Sequence, residues 1–455
     1  MNLEVIILAA GQGTRMRSDL PKVLHPLAGK SLLAHVIDTA VTLEAKAIHA
    51  VYGHGGETVP QALADAPVSW ILQADQLGTG HAVAQAMPNV EDDSVVLILY
   101  GDVPLISAQT LKDLLDIGAS NKLGLLTARL NSPQGYGRII RDPAGHVMRI
   151  VEQKDADNNE LLINEINTGM LAVNAGFLRS WLKNLKNENS QGEFYLTDIV
   201  AMAVADSVQV EAVVTVDEAQ ILGVNTKAQL AQLERVFQQR QADRLLENGV
   251  TLLDPARFDL RGELEFGSDV AIDVNVVIEG LVKLGDGVRI GPNVVLKNVT
   301  IGDGCNIDAF SHLEDAILGA NCQIGPYARL RPGSELADSV KVGNFVEIKK
   351  TQISDGSKVN HLSYIGDAKL GKNVNIGAGT ITCNYDGANK HQTNLGDNTF
   401  VGSNTALVAP VNIGDGATIG AGSTISKDVE ADQLALTRAP QKRINNWPRP
   451  VKKKV

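Results

Sequence analysis

Residues 395–430 read LGDNTF VGSNTA LVAPVN IGDGAT IGAGST ISKDVE when broken every six. Leu395, Val401, Leu407, Ile413, Ile419 and Ile425 head the blocks, and the fifth places of the first five hold Thr399, Thr405, Val411, Ala417 and Ser423. A helix repeats about every 3.6 residues and a strand about every two, so neither yields a six. A short strand plus a corner, used three times, returns the chain to its starting azimuth after about eighteen residues, and successive turns can then pair as parallel strands roughly 4.8 Å apart. Traced backwards, the heads run Ile272, Ile278, Leu284, Ile290, then Ile301, Ile307, Leu313, Leu318, Ile324, Leu330, Leu336, Val342, Ile348, Ile353, Val359, Ile365, Leu370 and Ile376, with occasional steps of five. The expectation is a three-sided β-helix whose glycine-rich second and fourth places, as in IGDG and IGAG, form the corners. A disordered Gly-rich linker would not keep so many aliphatics in register. One excursion, TCNYDGANKHQTN at 382–394, breaks the pattern, and polar loops on rigid scaffolds are where chemistry concentrates.

Upstream, TKAQLAQLERVFQQRQADRLLEN at 226–248 has no Gly or Pro and places Leu230, Leu233 and Val236 or Phe237 at helical spacing. It is expected to be a connecting helix, capped by Thr226 and ended by Gly249. Before it, apolar runs such as VIILAAG, KAIHAVYG, SVVLILYGD and LGLLTARL alternate with helical patterns such as SLLAHVIDTAVTL. That alternation indicates a mainly parallel sheet covered by helices, with ligands at the carboxyl ends of the strands. The expected organisation is an α/β domain over 1–225, a linker helix over 226–248 and a β-helix domain over 249–455.

The 455 residues, 44% of them hydrophobic, are enough for two or three domains with large cores. A formal net charge of -11 disfavours a nucleic-acid surface, so phosphate recognition is expected from local cations and backbone amides. Cys305, Cys322 and Cys383 are odd in number and lack CxxC spacing, which points away from a disulfide framework or a cysteine zinc site and towards a reducing compartment. The opening MNLEVIILAAG carries Glu4 and no basic leader, and reads as a buried strand entering a glycine loop rather than as a signal peptide. No run approaches the roughly 18 apolar residues of a membrane span. A cytoplasmic protein without membrane insertion is the expectation.

The first chemical constellation is LAAGQGTRMRSDLPK at 8–22. A strand delivers Gly11 and Gly13 into a turn whose bare amides can approach phosphate oxygens, while Arg15 and Lys22 bring positive charge. It is neither the dinucleotide fingerprint, because Met16 stands where a third glycine belongs, nor a Walker loop, because no GK[ST] follows. LILYGDVPL ends a strand in Tyr100, Gly101 and Asp102. A carboxylate there is placed to hold Mg²⁺, which neutralises triphosphate charge and a pyrophosphate leaving group. Asn225, closing ILGVNT, could add a second oxygen; the plainer reading of both residues is a turn or a cap.

These stretches, with LPKVLH, QLGTGHA, GYGRI, VEQKD, EINTG and GVNT and the hexapeptide coil behind them, closely resemble bifunctional bacterial N-acetylglucosamine-1-phosphate uridyltransferases and glucosamine-1-phosphate acetyltransferases. The resemblance spans almost the whole chain. It implies a Rossmann-like nucleotidyltransferase domain followed by a left-handed parallel β-helix, although parallel crossovers are normally right-handed. It further implies that Leu8, Ala9, Ala10, Gly11, Gln73, Gly78 and Thr79 embrace the uridine nucleotide, that Tyr100 and Gly101 belong to the same site, and that Gly137, Glu152, Asn167 and Asn225 contact the sugar side. Asp102 and Asn225 would hold Mg²⁺, with Arg15 and Lys22 facing the departing pyrophosphate. The sugar phosphate is itself an ionised nucleophile, so positioning and charge neutralisation suffice for the transfer. Gln12 stands where the family often has a lysine, leaving Arg15 and Lys22 to compensate.

The second constellation is ARLRPGS, NFVEIKK, KVNHLSYIG and TCNYDG. Acyl transfer to an amine needs proton removal, for which His361 is the natural general base, although a lone His on a β-helix is ordinarily a surface residue. By the resemblance Arg331 and Lys349 bind sugar phosphate, Tyr364 and Asn375 line the acceptor pocket, Asn384 and Tyr385 flank the acyl centre, and Glu347 orients or charge-stabilises His361. Ser403 and Ala421 lie eighteen apart and Ala378 follows His361 by seventeen, so small side chains should stack into a groove for acetyl-coenzyme A, with Arg438 meeting its phosphates. Whether all four share one column depends on how the excursion is counted. The implied activity is acetylation of glucosamine 1-phosphate followed by uridylyl transfer from UTP, in a homotrimer. Two rivals remain at this level: a nucleotidyltransferase whose β-helix only assembles or regulates, against which His361, Asn384, Tyr385, Arg331 and Lys349 argue, and a non-catalytic scaffold, against which Lys22, Asp102 and Asn225 argue.

Overall fold

Six consecutive buried residues, Leu3–Leu8, form a central strand with apolar side chains on both faces, as a strand covered on both sides requires. In the computed structural model, which describes residues 2–452, this strand pairs in parallel with Val95–Tyr100 on one side and Ala47–Tyr52 on the other. The sheet continues outward to Ser69–Leu72 beyond Ala47–Tyr52. On the other side it runs through Glu165–Asn174 and Leu123–Arg129 to Val210–Thr215. Glu165–Asn174 is antiparallel to both its neighbours, which makes the sheet mixed rather than wholly parallel. The short strands Arg138–Arg141 and Val147–Val151 hang from the same antiparallel strand. Helices Leu32–Thr42 and Ala108–Ala119 are N-capped by Ser31 and Ser107, whose hydroxyls accept from Ala34 and Thr110 amides. At the amino ends of the strands the buried Glu4 accepts hydrogen bonds from the Ser94 hydroxyl at 2.6 Å and the Glu91 amide at 2.8 Å, and its other oxygen lies 2.8 Å from His49 Nε2. The carboxyl ends are left for ligands.

The helix Lys227–Glu247 begins after Thr226, whose Oγ1 accepts from the Gln229 amide at 3.2 Å, and is followed by Gly249 at φ +93°. The chain divides into two compact units between Phe237 and Gln238, inside this helix. In the first unit Leu233 packs with Met16, Leu27, Leu32, Leu105 and Val224.

The second unit is a parallel β-helix. Every aliphatic head from Ile272 to Ile425 named above is buried, and so are Thr399, Thr405, Val411, Ala417 and Ser423. The strands stack into two long parallel ladders, one running from Thr251–Leu252 to Leu434–Ala435. Most corners turn on a residue with positive φ; one corner column runs Asn275, Asn293, Phe310, Tyr327, Phe345, Leu362, Gly379, Asn404 and Gly422. The two glycine places have different causes. A Cβ on Gly402, in the second place, would stand 2.4 Å from the Ala421 amide nitrogen of the next coil, whereas Gly422, in the fourth place, sits at φ +73°. Phe310, Tyr327 and Phe345 occupy such left-handed corners and stack outside the coil, with ring centroids 4.9 and 5.3 Å apart.

The excursion is shorter than 382–394. Thr382 and Cys383 pair with Leu407 and Val408, and Thr393 and Asn394 pair with Ala368 and Lys369. The hydroxyl of Thr382, inward where an aliphatic head is due, accepts from the Gly366 amide at 2.8 Å and donates to the Gly366 carbonyl at 3.0 Å. Only 384–392 leaves the ladder, closed by a bridge between Tyr385 and Lys390.

Candidate active sites

The glycine loop follows the strand Leu3–Leu8 directly, and Leu8, Ala9, Ala10, Gly11 and Gln12 line a cavity of about 550 Å³ with Lys22, Gln73, Gly78, Thr79, Tyr100 and Asp102. Gln73 is buried and its amide donates to the Gly78 carbonyl at 3.2 Å. Gly78 turns at φ +111°, and Thr79 Oγ1 accepts from the Leu196 amide at 3.1 Å. The segment around Phe194 clasps this turn, with its amide on the Leu77 carbonyl and its carbonyl on the Gly80 amide, both at 2.8 Å. It thereby brings Glu193 to the cavity, together with Gln76. Sequence reasoning missed both: Gln76 opens the QLGTGHA stretch but was given no role there, and Glu193 lies in no motif or periodic run.

Beside the cavity, four polar residues from three distant segments converge. Lys22 Nζ lies 2.5 Å from Asp102 Oδ2 and 3.2 Å from Asn225 Oδ1, and Arg15 Nη2 donates to the same Asn225 oxygen at 2.9 Å. Asp102 and Asn225 are held together by the Val224 amide, which donates to the Asp102 carbonyl at 2.9 Å. A side chain at Gly101 would be crowded, its Cβ standing 3.0 Å from Leu33 Cδ1 and 3.2 Å from Ala9 Cβ. The oxygens of Asp102 and Asn225 face one cation position, now filled by the lysine ammonium. One carboxylate and one amide oxygen suit Mg²⁺, which keeps waters and draws its remaining ligands from substrate phosphates.

The residues expected on the sugar side form a second group. The Asn167 amide donates to the Gly137 carbonyl at 2.9 Å, and the Glu152 carboxyl lies against Gly137, where a Cβ would come 3.4 Å from Oε1. Glu152 lines a separate cavity of about 370 Å³ with Asp155, Lys186, Tyr195, Thr197 and Asp198. Burial raises its carboxyl above the ordinary range, and the nearby charges of Asp155 and Asp198 add to this, while a hydrogen bond from Thr197 works the other way. Tyr100 connects the two groups: its ring crowds Gly169, and burial, then the charges of Glu152 and Asp102, push its hydroxyl well above the usual tyrosine range.

In the second unit His361 ends the strand Lys358–His361 and is exposed. Its Nδ1 lies 3.1 Å from Asn344 Oδ1, one coil earlier. With Asn344 Oδ1 as acceptor the hydrogen sits on Nδ1, and Nε2 carries the lone pair. Glu347, expected to orient His361, instead pairs with Arg331 at 2.7 Å. The two residues meet because Arg331 follows Leu330, which lies in register with Ile348, next to Glu347.

The groove residues do share one column. The Leu362, Gly379, Asn404 and Gly422 amides donate to the carbonyls of Asn344, His361, Ala378 and Ser403 respectively, so Asn344, His361, Ala378, Ser403 and Ala421 are successive rungs. The excursion leaves from a different corner and does not interrupt them. Arg438 lies at the far end, its guanidinium 2.9 Å from where a Gly420 Cβ would stand.

On the face between that column and the excursion stand Arg331, Lys349 and Tyr364. Gly366 is in register with Lys349, and the space above it is taken by the Tyr364 hydroxyl and the Asn384 amide. Asn384 donates to Tyr364 at 3.2 Å and to Asp367 at 2.5 Å. Asn375 is not in this cluster; it stands on the adjacent face, in register with Lys358 and Phe400. The Tyr385 hydroxyl donates to its own loop at Gly387, and the ring carries Lys390 Nζ at 4.4 Å.

Among the described residues no group of three or more His, Cys, Asp or Glu side chains could hold a metal ion, and no helix is long and apolar enough to cross a membrane. Residues 5–144 match the MobA-like NTP transferase domain, residues 260–353 the GMPPB C-terminal domain, and residues 392–427 six repeats of the bacterial transferase hexapeptide. The chain thus pairs an α/β domain of the nucleotidyltransferase kind with a transferase-type hexapeptide domain folded as a left-handed parallel β-helix.

Proposed function

We propose that the chain is a bifunctional enzyme that acetylates glucosamine 1-phosphate with acetyl-coenzyme A and then transfers UMP from UTP to N-acetylglucosamine 1-phosphate, giving UDP-N-acetylglucosamine and pyrophosphate for cell-envelope synthesis. The observation that carries this reading is the unbroken column from His361 through Ala378 and Ser403 to Ala421, which joins a base to a small-residue track ending at Arg438.

In the acetyl step the neutral amine of the sugar attacks the thioester carbon. His361 Nε2 accepts the amine proton, Nδ1 being held by Asn344, and the coenzyme leaves as the thiol. Arg331 and Lys349 take the sugar phosphate, and Tyr364 and Asn384 border the acceptor. In the uridylyl step the sugar phosphate attacks the α-phosphorus in line. Gln73, Gly78 and Thr79 position the nucleotide, while Glu152 and Asn167 orient the sugar. Bound Mg²⁺, held by Asp102 and Asn225, would neutralise charge on the phosphates. Arg15 and Lys22 stabilise the departing pyrophosphate.

The exposed column Phe310, Tyr327, Phe345 and Leu362, which are 49%, 47%, 56% and 63% exposed, supports self-association into a trimer. Light scattering of the purified chain tests that assignment. The enzyme reading is tested by two product assays on one preparation: thiol release from acetyl-coenzyme A with glucosamine 1-phosphate, and pyrophosphate release from UTP with N-acetylglucosamine 1-phosphate. Absence of thiol release with intact pyrophosphate release would leave the β-helix without a catalytic role.

A further inference from the structure

We propose that Lys22 is a built-in stand-in for the divalent ion, holding Asp102 and Asn225 shut against metal until a nucleoside triphosphate draws the lysine away. The inference rests on the nucleotidyl reading of this site. Three observations carry it.

The ammonium of Lys22 lies 2.5 Å from Asp102 Oδ2 and 3.2 Å from Asn225 Oδ1, so it fills the point at which those two oxygens converge. The pair is largely shielded, Lys22 being 13% and Asp102 14% exposed at the side chain, so water screens their attraction only in part. Finally, the lysine is crowded at its root, while its tip is held only by Asp102 and Asn225. Gly13 at φ +63° packs on Lys22 Cβ, where a side chain would come within 2.7 Å, yet Lys22 also lines the cavity shared with Gly11 and Gln12. Its Nζ can therefore swing on four methylenes from the carboxylate towards a phosphate in that cavity.

The electrostatics set the order of events. A divalent ion arriving alone meets an ammonium on its two protein ligands, with Arg15 hydrogen-bonded to one of them, and two protein oxygens are few for Mg²⁺. A triphosphate changes this by attracting Lys22 and Arg15 with its own charge, which frees Asp102 and Asn225 and adds phosphate oxygens to the ligand set. Metal and triphosphate then bind with positive coupling, and each raises the affinity for the other by the same factor.

The test is Mn²⁺ binding followed by the electron paramagnetic resonance signal of the free ion, without turnover, on the full chain, on the single variants Lys22→Gln and Lys22→Met, on Lys22→Gln/Asp102→Asn, and on Asp102→Asn as the reference for Asp102 dependence. The expected result is that, without nucleotide, both Lys22 single variants bind Mn²⁺ about tenfold or more tighter than the wild type, a shift of at least about 1.4 kcal/mol. The double variant should lose the gain. With UTP present and no sugar phosphate, the difference between wild type and Lys22 single variants should shrink. Equal or weaker Mn²⁺ binding by both folded Lys22 single variants, with Asp102-dependent Mn²⁺ binding by the wild type in the presence of UTP, overturns the stand-in role and leaves the nucleotidyl site in place. No Asp102-dependent binding of Mn²⁺ with UTP in any protein overturns the site reading and this inference with it.

Discussion

The two halves of the molecule assemble their sites by opposite means. In the α/β unit, Asp102 and Asn225 lie 80 and 203 residues from Lys22 along the chain and meet it because strand ends and the loops after them converge. In the β-helix, His361, Ala378, Ser403 and Ala421 meet because the chain returns to the same corner at each coil. Sequence distance therefore carries no positional information in the first unit and nearly all of it in the second. A topological site depends on a few side chains facing one another, whereas a periodic site depends on the coil keeping its count.

Substitutions can break that contrast in graded ways. The largest effect is expected for His361→Ala, which should lower thiol release about 10²–10⁴-fold while pyrophosphate release from N-acetylglucosamine 1-phosphate stays within error of the wild type. Loss of both activities would contradict separate sites. Next, Asp102→Asn should reduce pyrophosphate release about 10²–10³-fold and leave thiol release unchanged, as measured by the same pair of assays. The coil itself is probed by Leu407→Ala, which opens a cavity at a fully buried head and should cost about 2–5 kcal/mol in the β-helix. Heat-inactivation curves should then show thiol release failing at lower temperature while pyrophosphate release holds its wild-type midpoint.

The smallest effect concerns Glu152. Its native carboxyl is raised, chiefly by burial, so folding favours its protonated form and the stability it contributes is fully present below the unfolded value and lost as pH rises through the raised one. Glu152→Gln should melt about 1–3 °C above the wild type at pH 7 and no higher near pH 4, as read by calorimetry. A gain that persists unchanged at low pH would assign the effect to packing rather than to charge.

The coil was almost wholly legible because its pattern is redundant: each inward head repeats one constraint, and Ile272 through Ile425 all lie inside. Legibility failed where a side chain is used out of pattern. Thr382 is an inward polar head, so the excursion looked longer than it is. Glu347 was expected to act on His361 by the resemblance, but it pairs with Arg331 from the preceding coil and Asn344 meets the histidine. Phe345 and Leu362, which the sixfold reading left without a place, sit at left-handed corners and are exposed. In the α/β unit the glycine loop and Asp102 were visible as strand-end motifs. Glu193 reaches the cavity because the Phe194 backbone pairs with the 77–80 turn, and backbone pairing leaves no residue-type signature. The meeting of Lys22 with Asp102 was equally silent, since each residue has an adequate local explanation.

The rung column turns chain length into a caliper. From His361 to Ala421 there are three rungs, about 14 Å at the usual interstrand pitch. Splicing one whole turn into the coil between Ala378 and Ser403 would move the Arg438 jaw about 4.8 Å away from the imidazole while leaving the chemistry at both jaws untouched. A change of donor length could thus be met by adding or removing turns, with no redesign of the reacting end.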